Sequence, residues 1–394
     1  MPVWTMDMYQ TLAFAVVALL IGYFLRRKIS FLERFCIPPP VIGGLLFALI
    51  NCVLYVCGIA EVSYTDTLRE VCMVLFFTSV GFQANVKALR AGGKGMVILL
   101  VLVVAMIVSQ NALGIALAKA LGLDAKLGLC TGSIPMLGGH GTAGAFGPVL
   151  EDMGVKGATT VCTAAATFGL LAGSLLGGPT ANHLIRRKDL LKTASTDASP
   201  DAQASSRKEL HYFASASYLL ALAAGLGTVV SWALSRTRLT FPIYIGAMIA
   251  AAVIRNIGEA TGNIRKYMGE IEKIGSIMLS LFLGMAMITL KLWQLAALAL
   301  PLVVMLAGQT VLMFVFARCA VFHAMGRDYD AAVICAGTCG FGMGATPNAM
   351  ANMQAVCDKY APSPKAFLLI PLVGSLFADF LNSLIITVFI NVLH

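Results

Sequence analysis

Gly132-Ser133-Ile134-Pro135-Met136-Leu137-Gly138-Gly139-His140-Gly141-Thr142-Ala143-Gly144 places five glycines and a proline inside an apolar region. Glycine opens backbone conformations that a helix does not use, and proline removes a hydrogen-bond donor, so no plain helix runs through this stretch. A second break of the same kind follows in the other half of the chain, Gly340-Phe341-Gly342-Met343-Gly344-Ala345-Thr346-Pro347-Asn348-Ala349-Met350-Ala351-Asn352. Unwound backbone exposed to lipid would leave peptide groups unsatisfied, so both breaks must be enclosed by protein or line a wet cavity.

The surroundings call for that argument. Of 394 residues, 59% are hydrophobic and 12% charged, against about 25% charged in an ordinary soluble domain. Apolar runs reach the roughly 20 residues that cross a bilayer core. Helices are predicted near 9–25, 38–58, 69–86, 95–121 and 157–185 in the first half, then near 213–235, 241–257, 274–290, 294–323 and 364–392. The first run, Thr11 to Leu25, has Asp7 before it and Arg26, Arg27 and Lys28 after it, the reverse of a cleavable signal peptide. The expected fold class is therefore an all-α polytopic membrane protein.

Ten cysteines are scattered without a C-x-x-C pair and read as small packing residues. Cys335 and Cys339 would share a helix face, but a zinc site needs further ligands. The net charge of +9 follows from basic loops and calls for no nucleic acid. With the N-terminus placed outside, 21 of the 28 Lys and Arg fall on the cytoplasmic side and 7 outside. This agrees with five spans per half, since basic residues favour cytoplasmic loops.

Three domain segments follow: residues 1–185 with a re-entrant hairpin near 128–147, a flexible cytoplasmic linker at 186–212, and residues 213–394 with a hairpin near 331–353. The halves align at an offset of about 204 residues. Pro39-x-x-Ile42-Gly43 matches Pro242-x-x-Ile245-Gly246, and Gly138-x-x-x-Thr142 matches Gly342-x-x-x-Thr346. Duplicated halves with an odd number of spans must be inverted, and corresponding broken segments in inverted repeats point to a transporter's binding site.

Such breaks offer backbone N–H groups to anions at a half-helix start and carbonyls to Na⁺ at a half-helix end. Substrate candidates are Ser133, Gly138, Gly139, His140, Gly141 and Thr142 in the first break, with Gly342, Gly344, Ala345, Thr346 and Asn348 in the second. Pro347 suits the first turn of a new helix. Asp379 is the only acidic residue between Phe367 and Leu393. An intramembrane carboxylate normally pairs with a cation, binds an ion or relays protons. With Asn352, Thr346, Asn111 and Gln309 it completes the sodium candidates. Interhelical hydrogen bonding is the competing role for Gln110, Asn111 and Gln309. With few basic residues near the span centres, cation symport is sensible for an anion: beyond neutralising a single charge, each further Na⁺ gains about 2.3 kcal/mol per 100 mV.

Ser133-x-x-x-x-Gly138-Gly139-His140-Gly141-Thr142 and Cys339-Gly340-Phe341-Gly342-x-Gly344-Ala345-Thr346-Pro347-x-Ala349-x-Ala351-Asn352-Met353-Gln354 resemble the bacterial sodium/glutamate symporters. Pro38-x-Pro40-Val41-x-Gly43-Gly44-Leu45, Leu89-Arg90-Ala91-Gly92-Gly93, Gln110-Asn111-Ala112 and Leu290-Lys291-Leu292-Trp293 extend the likeness over almost the full length. One departure is Ile134-Pro135-Met136, where a serine- and threonine-rich lead-in is expected.

The resemblance implies Na⁺-coupled uptake of L-glutamate across the bacterial inner membrane, while the charge tally with an even total of spans puts both termini in the periplasm. The resemblance also implies two inverted five-helix repeats, elevator-type movement and a homodimer, with Na⁺ as coupling ion and no cofactor. Other carboxylates and proton coupling stay open. A membrane enzyme using His140 and Asp379 would show a clearer nucleophile or metal set, and a channel is the remaining class.

Overall fold

The computed structural model describes residues 1–34, 37–86, 93–188, 190–193, 212–236, 242–260 and 264–393. Helix dominates it. After a short strand β1 (Val3–Met6) comes α1 (Met8–Lys28), then α2 (Ser30–Arg34) and α3 (Pro39–Val56). Strand β2 (Glu61–Tyr64) lies parallel to β1, and α4 spans Thr67–Gln83. Helix α1 starts where its capping chemistry dictates: the Asp7 carboxylate accepts from the Tyr9 and Gln10 N–H groups, and the Gln10 side chain returns to the Asp7 N–H. Arg26, Arg27 and Lys28 close its negative end.

The chain continues through α5 (Gly93–Ala120) into a broken segment of α6 (Ala125–Leu129), α7 (Ser133–Met136) and α8 (Gly139–Asp152), then α9 (Ala158–Lys188). The other half supplies α10 (Phe213–Ser235), α11 (Ile243–Ala260), α12 (Met268–Ile288) and α13 (Ala299–Phe316). Helix α13 passes through a π-turn, Ala317–Val321, before the second broken segment, α14 (Tyr329–Gly342) and α15 (Thr346–Lys359). The last stretch is α16 (Pro364–Val373), a π-turn at Gly374–Ala378 and α17 (Asp379–Val392).

Among the described residues, seven helices are long and apolar enough to cross a membrane. Their outer faces carry bare apolar side chains such as Leu20, Val53, Tyr218, Val229 and Val311. Such surface suits hydrocarbon and not water. The predicted 69–86 span is the 17-residue α4, and the predicted 364–392 span is interrupted at its centre by the π-turn. Pro371 just before that turn removes a helical N–H, a known cause of such interruptions. Both broken segments run longer than their predicted limits, because α8 continues to Asp152 and α15 to Lys359. Helix α9 runs through Lys188, past the expected edge of the linker, and Leu190–Thr193 adds a 3-10 turn. The remainder of the expected linker, 194–211, lies outside the described residues, as do 89–92 of the Leu89-to-Gly93 motif.

Packing divides the helices into two groups. Helices α1, α3 and α4 pack with α10, α11 and α12, while α5, α9 and α13 surround the broken segments with α16 and α17. Glycines from the repeated Pro-x-x-Ile-Gly motif serve the first group twice. A β-carbon on Gly43 would strike the Ala18 carbonyl of α1, and one on Gly246 would strike Gly227 and Ser231 of α10. Each therefore lets a second helix lie directly against the first helix of its own half.

Candidate substrate and ion site

Both broken segments place a fresh helix start at the same cavity. Helix α8 begins after Gly138, and Gly139 holds φ +58°, a conformation glycine adopts without steric cost. Helix α15 begins after Ala345, whose backbone is extended, with Pro347 in its first turn. No side chain caps either start. The first N–H groups of a helix have no partner within the helix, so both ends turn unsatisfied donors and the positive end of a helix dipole toward the cavity.

The cavity measures about 320 Å³, within the usual range for a small-molecule site. Gly138, Gly139, His140 and Gly141 line it from the first segment, and Phe341, Gly344, Ala345, Thr346 and Pro347 from the second. Gly374, Ala378 and Asp379 close a third side, and Pro38, Phe76, Leu279 and Leu283 form an apolar wall from the α1–α3–α4–α12 group. Sequence reading missed that wall. Pro38 stood in a noted motif without a site role, while Phe76, Leu279 and Leu283 are ordinary apolar letters in apolar runs, and only the fold brings them to the breaks.

Asp379 opens α17 directly after the π-turn, and among the described residues it forms no ion pair. The Thr346 hydroxyl faces the same turn, 3.3 Å from where a β-carbon on Gly374 would stand. His140 Nε2 lies 3.0 Å from Thr167 Oγ1, and that hydroxyl donates to the Thr163 carbonyl at 3.0 Å. With its hydroxyl hydrogen committed, Thr167 receives the imidazole N–H, which fixes the ring at the cavity edge.

Other candidates lie behind the cavity. Thr142 is buried within α8, against Gly138, and does not line the cavity as Thr346 does. The aligned motifs Gly138-x-x-x-Thr142 and Gly342-x-x-x-Thr346 thus fall out of step with the helices. Extended Ala345 and Pro347 delay the second restart to Thr346, whereas the first restarts at Gly139.

Gly342 ends α14, and its carbonyl accepts from Gln110 Nε2 at 2.7 Å. Gln309 Nε2 donates to the Gln110 carbonyl at 2.8 Å. The neighbouring Asn111 turns the other way and accepts the Ser133 N–H at 2.9 Å. Adjacent residues of α5 thereby hold one break each. Asn348 Nδ2 donates to Leu170 O at 3.0 Å, while Asn352 Nδ2 donates to Gly173 O at 2.9 Å and Ala336 O at 3.3 Å. These amides tie α15 to α9 and α14. Their nitrogens are committed, as is the oxygen of Asn111, while the oxygens of Gln110, Gln309 and Asn348 are buried without a partner.

The family model described as sodium/glutamate symporter matches residues 4–362. The chain belongs to that family. A sodium/glutamate symporter of Escherichia coli is 39% identical over 396 residues, covering 98% of each chain. One from Shigella flexneri is likewise 39% identical over 396 residues, and one from Haemophilus influenzae is 36% identical over 397 residues, covering 98% of this chain and 97% of the relative. Members of this sodium/glutamate symporter family carry solutes and are no enzymes. His140 and Asp379 then have no catalytic duty to explain.

Proposed function

We propose that the protein is a secondary active transporter that takes up L-glutamate with Na⁺ across the bacterial inner membrane. The observation that carries this reading is the pair of uncapped helix starts meeting at one cavity that also holds a carboxylate, Asp379. Glutamate brings two carboxylates, and two helix starts supply the donors for them. The substrate-facing groups are the backbone at Gly138 to Gly141 and Gly344 to Thr346, with His140 at the edge. Asp379, helped by Thr346, is the leading sodium candidate. Ser133, Thr142, Gly342 and Asn348 support the site from behind, as do Asn111, Gln309 and Asn352 among the sodium candidates.

The halves are inverted repeats of five spans, each with a re-entrant hairpin, and the basic-residue bias supports periplasmic termini. Corresponding contacts of Gly43 and Gly246 support the duplication. Division of the helices into two packing groups supports an elevator in which the hairpins travel with substrate past a scaffold of α1, α3, α4, α10, α11 and α12, and the scaffold joins two copies in a homodimer.

Proteoliposomes holding the purified protein test the reading. Labelled L-glutamate accumulates when a Na⁺ gradient points inward and fails to accumulate with a proton gradient alone. Accumulation on the proton gradient alone overturns the coupling, and preference for another carboxylate overturns the substrate.

A further inference from the structure

On the helix face that carries Asp379, and on segments packed against it, several buried oxygens have no hydrogen-bond partner. Asp379, Asn382 and Ser383 stand at i, i+3 and i+4 of α17 and so share one helix face. Asn382 donates its Nδ2 to the Ser133 carbonyl at 3.1 Å, which fixes its amide and leaves Oδ1 buried and unpartnered. The hydroxyls of Ser133 and Ser383 are also buried and unpartnered. From α11, the Tyr244 hydroxyl comes against Ser383 without a hydrogen bond of ordinary geometry. All four side chains are essentially inaccessible to solvent.

Native proteins rarely leave one such group unsatisfied, and several at one place call for an ordered water or an ion. Hard cations take oxygen ligands, and hydroxyls and amide oxygens serve without adding charge. Asn382 lies about 4.5 Å along the helix axis from Asp379 at 1.5 Å rise per residue. At that separation the carboxylate compensates a buried monovalent charge while still facing the cavity. The π-turn Gly374–Ala378 sets this register, a kind of irregularity frequent at functional sites.

We infer that Ser133 Oγ, Asn382 Oδ1 and Ser383 Oγ form an inner Na⁺ site, one helical turn behind the cavity and separate from the carboxylate of Asp379. The inference rests on the Na⁺-coupled reading and adds the ion's ligands to it. Ser133 begins α7 in the first broken segment, while Asn382 and Ser383 belong to the last helix. An ion held between them would clamp the first break against the wall that carries Asp379. Binding of the ion would thus shape the cavity before substrate enters.

Neither hydroxyl makes a hydrogen bond of ordinary geometry, so a purely structural role forecasts little loss of stability from Ser133→Ala or Ser383→Ala. Full-length native and variant proteins in detergent micelles are melted across a NaCl series without glutamate, with choline chloride holding ionic strength constant. Expected are a saturable Na⁺-specific rise in the native Tm and at least a fivefold higher Na⁺ midpoint in each variant, with the Tm in choline unchanged or higher. Native midpoints in both variants mean an ordered water only and overturn the site. So does a native Tm indifferent to Na⁺, or a clear fall of both variant Tm values in choline. Failure of glutamate uptake with the midpoint shifts intact sinks the substrate reading and leaves the ion site. Normal Na⁺-driven uptake with unshifted midpoints does the reverse.

Discussion

A β-carbon on Gly139 would stand 3.2 Å from the carbonyl oxygen of Gly344. The two breaks therefore touch at their tips, and each tip limits the shape of the other. Gly139 also holds φ +58°, where a β-branched residue is a steric outlier. Gly139→Val and Gly344→Val are each expected to cut glutamate uptake at least a hundredfold while the protein still reaches the membrane. Uptake in proteoliposomes, normalised to reconstituted protein, measures it. Normal uptake in either variant would show that the tips only pack.

Asp379→Asn keeps the size of the side chain and removes its charge. The concentration of Na⁺ giving half-maximal uptake is expected to rise at least tenfold, with the amount of membrane-inserted protein nearly unchanged. Initial rates across a Na⁺ series at saturating glutamate decide it, and an unchanged midpoint would refute the ion role.

Gln110→Ala is expected to act on stability instead. It strips the buried Gly342 carbonyl of its 2.7 Å hydrogen bond, and an orphaned buried acceptor costs about 1–3 kcal/mol. Thermal unfolding in detergent should register a lower Tm with the Na⁺ midpoint in place. A shifted midpoint and an unchanged Tm would assign Gln110 to the ion instead.

Phe76→Ala enlarges the cavity from the apolar wall. One methylene is worth about 1–3 kcal/mol in such a pocket, so the homologue of glutamate one methylene longer should gain at least tenfold as a competitor relative to glutamate. Competition against labelled glutamate reads the ratio, and an unaltered ratio would place Phe76 away from the substrate chain.

The helices and both breaks were legible because apolar runs and glycine clusters are local properties. Asp379 was legible for a related reason, since a carboxylate stands out in an apolar segment. Thr142 misled, because the repeat aligns it with Thr346 while the delayed restart after extended Ala345 puts only the latter at the cavity. The interhelical hydrogen bonding of Gln110, Asn111 and Gln309 was legible as their competing role, but the partners that interlock Gln110 with Gln309 and Gly342 were not, nor was the approach of Tyr244 to Ser383. Both depend on contacts between residues more than a hundred positions apart, and no periodicity records them.

The uncapped starts of α8 and α15 also determine how the site answers to sequence change. Main-chain N–H groups are present whatever the side chain, proline such as Pro347 excepted, so exchanging one polar residue for another cannot tune them. A saturation scan of every position would reveal such a site as a short list of glycines that tolerate nothing larger, and variants with altered preference would arise from the bulky apolar neighbours. On the proposed reading of the two helix starts as anion holders, evolving a new cargo on this scaffold is a matter of recarving the walls around a fixed pair.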